Sequence, residues 1–165
     1  MVIIYHSNTG FTRQYAEMLA KAEKLKAYSA DEAPARLEEP VFFMGPLMAG
    51  HITGLDKAVK KYKVKGVCGV GMSPASQQVM DLLAKSNYTA GGALFYLQGG
   101  WAPEKVGWVK RRMVGVATKS IREGLQSKGS RRSPEEDQQL NFLIHGGSYV
   151  AYENLKPVQE WMKTL

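Results

Sequence analysis

Along the chain, short continuous apolar runs alternate with stretches in which apolar residues recur at helical spacing. Val2 to Tyr5 is a run of β-formers, His6 to Gly10 is polar, and from Phe11 to Lys24 the residues Phe11, Tyr15, Met18, Leu19 and Ala22 fall on one helical face. This predicts a strand, a turn and a helix. The unit recurs: a strand over Val41 to Met44, a glycine-containing loop over Gly45 to Gly54, and a helix over Leu55 to Tyr62 with Leu55, Ala58, Val59 and Tyr62 on one face. A third copy follows, with a buried strand at Val64 to Gly71, a loop at Met72 to Ala75, and a helix at Ser76 to Lys85 with Val79, Leu82 and Leu83 inward. Ala90 to Leu97 reads as another buried strand and Gln98 to Lys105 as a loop. A weak strand near Leu25 to Ser29 brings the expected count to five. Strands that are apolar throughout, separated by amphipathic helices, predict an α/β fold with a doubly wound parallel sheet covered on both faces.

The last third follows a different pattern. From Val106 to Gly124, Val106, Val109, Met113, Val116 and Ile121 lie at near-helical spacing opposite Lys110, Arg111, Arg112, Lys119 and Arg122, which predicts one amphipathic helix weakened by Gly107 and Gly115. Gly124 to Ser133 is rich in basic and small residues and is expected to be a mobile connector. Ser133, Pro134 and Glu136 form a capping-box start for a further helix. Leu155, Val158, Trp161 and Met162 predict a closing helix, with Asn154 as its cap and Pro157 in its first turn. The whole chain, residues 1–165, is expected to be a single domain with a basic helical insertion at about 101–147.

Composition narrows the function classes. Lys and Arg outnumber Asp and Glu by 22 to 15, a formal charge of +7, which favours anionic ligands, surfaces or partners. The single cysteine, Cys68, lies in an apolar run and is expected to be an inert core thiol. No Cys/His cluster has metal-ligand spacing, so no metal is expected. The first residues lack the basic start and long apolar core of a signal peptide, and no run approaches the ~20 residues of a membrane span. The expected compartment is the cytoplasm, with the inner face of the membrane as the place of any peripheral contact.

Chemistry concentrates at Ser7, Asn8, Thr9, Gly10, Phe11 and Thr12, where hydroxyls, a glycine and a helix N-terminus meet directly after the first strand. A phosphate there can accept bonds from the Ser7, Thr9 and Thr12 hydroxyls and from free backbone N–H groups, with the helix dipole favouring its charge. The run Ser7-x-Thr9-Gly10-x-Thr12 resembles the phosphate loop of the flavodoxin-like FMN-binding family. That resemblance implies a five-stranded sheet in the order 2-1-3-4-5, with FMN outside the strand C-termini where the order reverses. It further implies that Gly45, Pro46, Leu47, Met48, Ala49 and Gly50, together with Met72, Ser73 and Pro74, flank the flavin ring. Neither loop carries the Trp or Tyr usual in carrier flavodoxins, and Trp101 is the nearest aromatic substitute.

Within that family the chain resembles the menaquinone-dependent protoporphyrinogen dehydrogenase branch. The features that carry this are Gly50-His51 after the third strand, the basic, aromatic-containing segment from Trp101 to Arg122, and the tail Tyr152-Glu153-Asn154-Leu155-Lys156-Pro157-Val158-Gln159-Glu160-Trp161. Met48-Ala49 stands where the branch has Arg-Tyr. The resemblance implies an FMN-dependent oxidoreductase moving electrons between a small organic donor and a quinone-like acceptor, with His51 as the catalytic candidate. The rival reading is a non-catalytic electron shuttle or an FMN-free binding module. The basic balance favours the enzyme, since carrier flavodoxins are acidic as a family. Gly45-x-x-x-x-Gly50 is no nucleotide P-loop, because His51-Ile52 replaces the Lys-Ser/Thr that reaches phosphate and magnesium. Lys110, Arg111, Arg112, Lys119, Arg122, Arg131 and Arg132 are candidates for docking to an anionic ligand or membrane surface, and nucleic acid is not expected.

Overall fold

A computed structural model describes residues 1–165. The chain divides into two compact units, one made of residues 1–99 and 149–165, the other of residues 100–148. The first unit is α/β. In chain order it comprises β1 (Val2–Tyr5), α1 (Phe11–Glu23), β2 (Lys26–Ser29), β3 (Val41–Met48), β4 (His51–Ile52), α2 (Leu55–Lys61), β5 (Val64–Gly71), α3 (Gln77–Ser86) and β6 (Ala93–Gln98). A 3-10 turn at Tyr152–Leu155 leads into a C-terminal helix at Lys156–Met162.

The strands β2-β1-β3-β5-β6 lie side by side and parallel, with β4 added antiparallel to the end of β3. The sheet therefore has six strands rather than the expected five. Successive residues of the central strands are buried on opposite faces, as a sheet covered on both sides requires. Ile3, Phe42, Met44, Cys68 and Leu97 pack with Tyr15 and Leu19 of α1 and with Leu155 and Val158 of the C-terminal segment. On the other face Val2, Ile4, Val41, Phe43 and Val67 pack with Leu55 and Ala58 of α2 and Leu83 of α3. Since α1 connects β1 to β2 on one side and β3 lies on the other, the path of the chain reverses between β1 and β3.

Several boundaries depart from the sequence reading. The segment Gly45 to Gly54 is no open loop: β3 runs on to Met48, turns at Ala49 and Gly50, both with positive φ (49° and 84°), and returns as β4 with Leu47 opposite Ile52 and Met48 opposite His51. The tight return requires glycine at 45, where a Cβ would stand 2.6 Å from the Thr53 carbonyl oxygen and 2.8 Å from Ile52 Cγ2. At the start of β6, Ala90 and Gly91 form a turn of positive φ, so the strand begins three residues later than expected. Leu82 is exposed rather than inward. Asn154 caps no helix; its amide donates to Tyr15 Oη (2.6 Å) and to the Tyr149 carbonyl (2.9 Å).

The second unit contains β7 (Gly100–Trp101) paired antiparallel with β8 (Gly147–Ser148), and the helices α4 (Trp108–Ala117), α5 (Lys119–Ser127) and α6 (Pro134–His145); the helix at Lys156–Met162 in the first unit is α7. The single helix expected over Val106 to Gly124 is thus two, broken at Thr118, whose hydroxyl bonds back to the Val114 carbonyl (2.8 Å). The expected mobile connector is largely ordered, since α5 reaches Ser127 and Gly129–Arg131 forms a 3-10 turn. Ser133 opens α6 through the full capping box, its hydroxyl accepting from Glu136 N while the Glu136 carboxylate accepts from Ser133 N. No helix is long and apolar enough to cross a membrane.

Candidate functional site

Three connections leave the C-terminal ends of the adjacent strands β1, β3 and β5. The first is the hydroxyl-bearing turn. His6 N donates to the Met44 carbonyl (2.9 Å), which carries the β1–β3 ladder one residue past Tyr5, so the free loop begins at Ser7. Gly10, the N-cap residue of α1, has φ +98°, a conformation that L side chains rarely adopt, and brings no side chain to cap the helix. Ser7 Oγ accepts from Arg13 N (3.3 Å), and its own proton remains available for donation. The backbone N–H groups of Ser7 to Thr12 have no hydrogen-bond partner in the chain. No acidic residue stands in the first turn of α1. Thr12 is only 2 % exposed, half-buried Thr9 precedes Gly10, and neither hydroxyl is engaged elsewhere. Asn8 is exposed and its Oδ1 meets His6 Nε2 at 3.2 Å.

The second connection is the hairpin Gly45 to Ile52. Asn87, which follows α3, clamps it: Ile52 N donates to Asn87 Oδ1 (2.8 Å), and Asn87 Nδ2 donates to the carbonyls of Gly50 (2.7 Å) and Leu83 (3.0 Å). Gly50 is buried beneath Leu82 and Ser86, where a Cβ would meet their side chains at 3.3 and 3.2 Å. The hairpin consequently offers a ligand half-buried Pro46 and Leu47 and exposed Met48 and Ala49, with Gly50 turned away. His51 is exposed opposite Met48 and its ring makes no hydrogen bond.

The third connection is Met72 to Ala75. Tyr96 Oη donates to the Ser73 carbonyl (2.6 Å) and Gln98 Nε2 to the Met72 carbonyl (3.2 Å), which draws the carbonyls inward. Ser73 and Pro74 are exposed, and the N–H groups of Ser73 and Ala75 have no partner. Burial pushes the Tyr96 hydroxyl well above its ordinary range, so it remains a neutral donor. Cys68 is fully buried and its thiol is raised for the same reason, which leaves it inert.

A phosphate fits the first connection, where unpartnered amides, two unengaged hydroxyls and a helix N-terminus free of acid converge. Pro46, Leu47 and Met48 present apolar surface on the second connection, and the Ser73 and Ala75 amides present unpartnered donors on the third. Trp101 belongs to the second unit: it sits in β7 opposite Gly147 and is 8 % exposed, which leaves little of its ring open to a ligand. Sequence reasoning missed Asn87, which read as a residue between a helix and a strand; its partners lie 35 and 37 residues away. No protein-family model matches this chain, and neither a curated protein nor a solved structure shows significant similarity to it.

Proposed function

We propose that the chain is a flavodoxin-like FMN-binding oxidoreductase that takes two electrons and two protons from a small organic donor and delivers them to a quinone, giving the quinol. The observation that carries this reading is the loop Ser7 to Thr12, with its run of unpartnered N–H groups ahead of α1, at the point between β1 and β3 where the chain path reverses. In open α/β sheets ligands bind at such a point, outside the strand C-termini.

Ser7, Thr9 and Thr12 would donate to the phosphate oxygens, and the amides after Gly10 would add the helix-terminal field. FMN, when bound, supplies the two-electron chemistry, and the protein supplies anchoring and orientation. Met48 and Pro46 would line the ring, the Ser73 and Ala75 amides would bond its polar edge, and Asn87 would hold the hairpin in place. His51, exposed next to this surface, would orient the donor or take one of its protons. Tyr96 holds the Ser73 carbonyl and so acts on position rather than on chemistry.

The test of the reaction is anaerobic stopped-flow of the flavin-loaded, reduced protein against menaquinone analogues and against one-electron protein acceptors. Rapid two-electron reoxidation by the quinone is expected. Reaction with protein acceptors alone would make the chain a shuttle, and a chain that takes up no flavin would make it a binding module of another kind.

A further inference from the structure

The outward side of α4 is apolar. Trp108, Val109, Met113 and Val116 are 74, 51, 55 and 70 % exposed, and Ile121 of α5 is exposed as well. On a helical projection Trp108, Val116, Val109, Met113 and Ala117 occupy one continuous half of α4, with Arg112 the only charge among them. The usual pattern is inverted, since the residues that spacing alone would turn inward here face water. An exposed apolar face rimmed by charge marks an interaction surface.

The surrounding charge identifies the partner. The second unit carries nine basic and five acidic residues, giving +4 of the chain's +7. Its acids are mostly engaged: Glu123 pairs with Lys119 (3.7 Å), Asp137 with Arg132 (2.6 Å) and Glu136 with Lys128. Lys105, Lys110, Arg111, Arg112 and Arg131 have no ion-pair partner; Lys110, Arg111 and Arg112 lie on α4 and Lys105 shortly precedes it. A second copy laid on this face would bring like charges together, whereas an anionic bilayer offers both an apolar boundary and phosphates. We propose that α4 lies in the interface of anionic membranes, with Trp108, Val109, Met113 and Val116 entering the headgroup and acyl boundary and Arg112, within the apolar half, and Lys110, at its edge, meeting lipid phosphates. This peripheral docking is independent of whether residues 7–12 hold a phosphate.

The test uses the full chain with vesicles of phosphatidylcholine alone and of phosphatidylcholine with phosphatidylglycerol. Trp108 is the exposed indole, so binding is expected to shift its emission to the blue and to make it quenchable by brominated acyl chains, in parallel with co-sedimentation. The double variant Lys110→Ala, Arg112→Ala should weaken partitioning about 25-fold, fivefold per charge. Met113→Glu should weaken it at least about tenfold, and raised salt should mimic the charge loss. Arg112 and Met113 are exposed and Lys110 is half-buried, and circular dichroism with an unchanged urea-unfolding midpoint would confirm an intact fold. Equal binding to both vesicle types, or no binding to either, would overturn the proposal. So would lipid-free self-association abolished by Met113→Glu, which would assign the face to a second copy.

Discussion

Replacing Asn87 by Ala removes three hydrogen bonds that hold the β3–β4 hairpin against α3. Gly50 and Ile52 are buried, so the Gly50 carbonyl and the Ile52 N–H would lose their partners away from solvent, at about 1 to 3 kcal/mol each. The bond to the Leu83 carbonyl adds up to about 1 kcal/mol. Allowing for partial relaxation, the expected loss is about 3 kcal/mol, a large share of a typical domain's ~5 to 15 kcal/mol. Equilibrium urea unfolding should show the midpoint falling by about 1 to 2 M with the slope unchanged. Asn87→Asp provides the internal control. It keeps an acceptor for Ile52 N but turns a second oxygen toward two carbonyls, so it should be as unstable as the Ala variant at neutral pH. In acid the protonated carboxyl becomes a donor, and stability relative to the parent should recover as pH falls. A loss below about 0.5 kcal/mol for Asn87→Ala, or an Asp variant indifferent to pH, would refute the clamp.

Two further outcomes follow from packing and burial. Gly66→Ala places a Cβ 2.5 Å from Trp161 Cη2 and 2.7 Å from Phe42 Cδ2, inside a cluster in which Phe42, Phe95 and Trp161 have ring centroids 5.4 to 6.0 Å apart. Overpacking of this kind costs about 1 to 3 kcal/mol and should lower Tm by about 2 to 10 °C; an unchanged Tm in calorimetry would mean the rings have slack. Burial raises Cys68 from its reference 9.0 and Tyr96 from 10.0, so the folded state keeps protons that the unfolded chain releases. Stability should therefore be fully present below about pH 9 and fall above it, by up to about 1.4 kcal/mol per pH unit for each group. Cys68→Ala should flatten the first part of that decline in denaturant titrations at stepped pH; an identical profile would refute the contribution of the thiol.

Where local chemistry and tertiary packing agree, the sequence was a sufficient guide. Val2–Tyr5 and Val64–Gly71 are strands at the expected residues because their apolar runs are bounded by polar or glycine-containing turns, and α6 starts where Ser133 and Glu136 place the capping box. The hairpin was hidden because Gly45, Gly50 and Gly54 read as punctuation of a loop. Its turn residues, Ala49-Gly50, lack the Asn-Gly signal of a two-residue hairpin, and its clamp comes from Asn87 far along the chain. On α4, spacing identified which residues share a face but not which way that face points, since periodicity is unchanged by rotation about the helix axis. Asn154 was misread as a cap because its partners, Tyr15 and Tyr149, are brought to it by tertiary structure. The run of hydroxyls and glycine from Ser7 to Thr12 was legible in the sequence; that its amides are unpartnered is visible only in three dimensions.

The decisive comparison is a calorimetric titration of the flavin-free chain with FMN and with riboflavin, repeated for the double variant Thr9→Ala, Thr12→Ala. If Ser7 to Thr12 cradle a phosphate, FMN should bind far more tightly than riboflavin, because hydrogen bonds to a charged acceptor are worth about 1.5 to 3 kcal/mol each. The double variant should lose at least about tenfold in FMN affinity and leave riboflavin binding unchanged. Equal affinity for the two flavins, or an FMN affinity untouched by loss of both hydroxyls, would contradict a phosphate site at this loop.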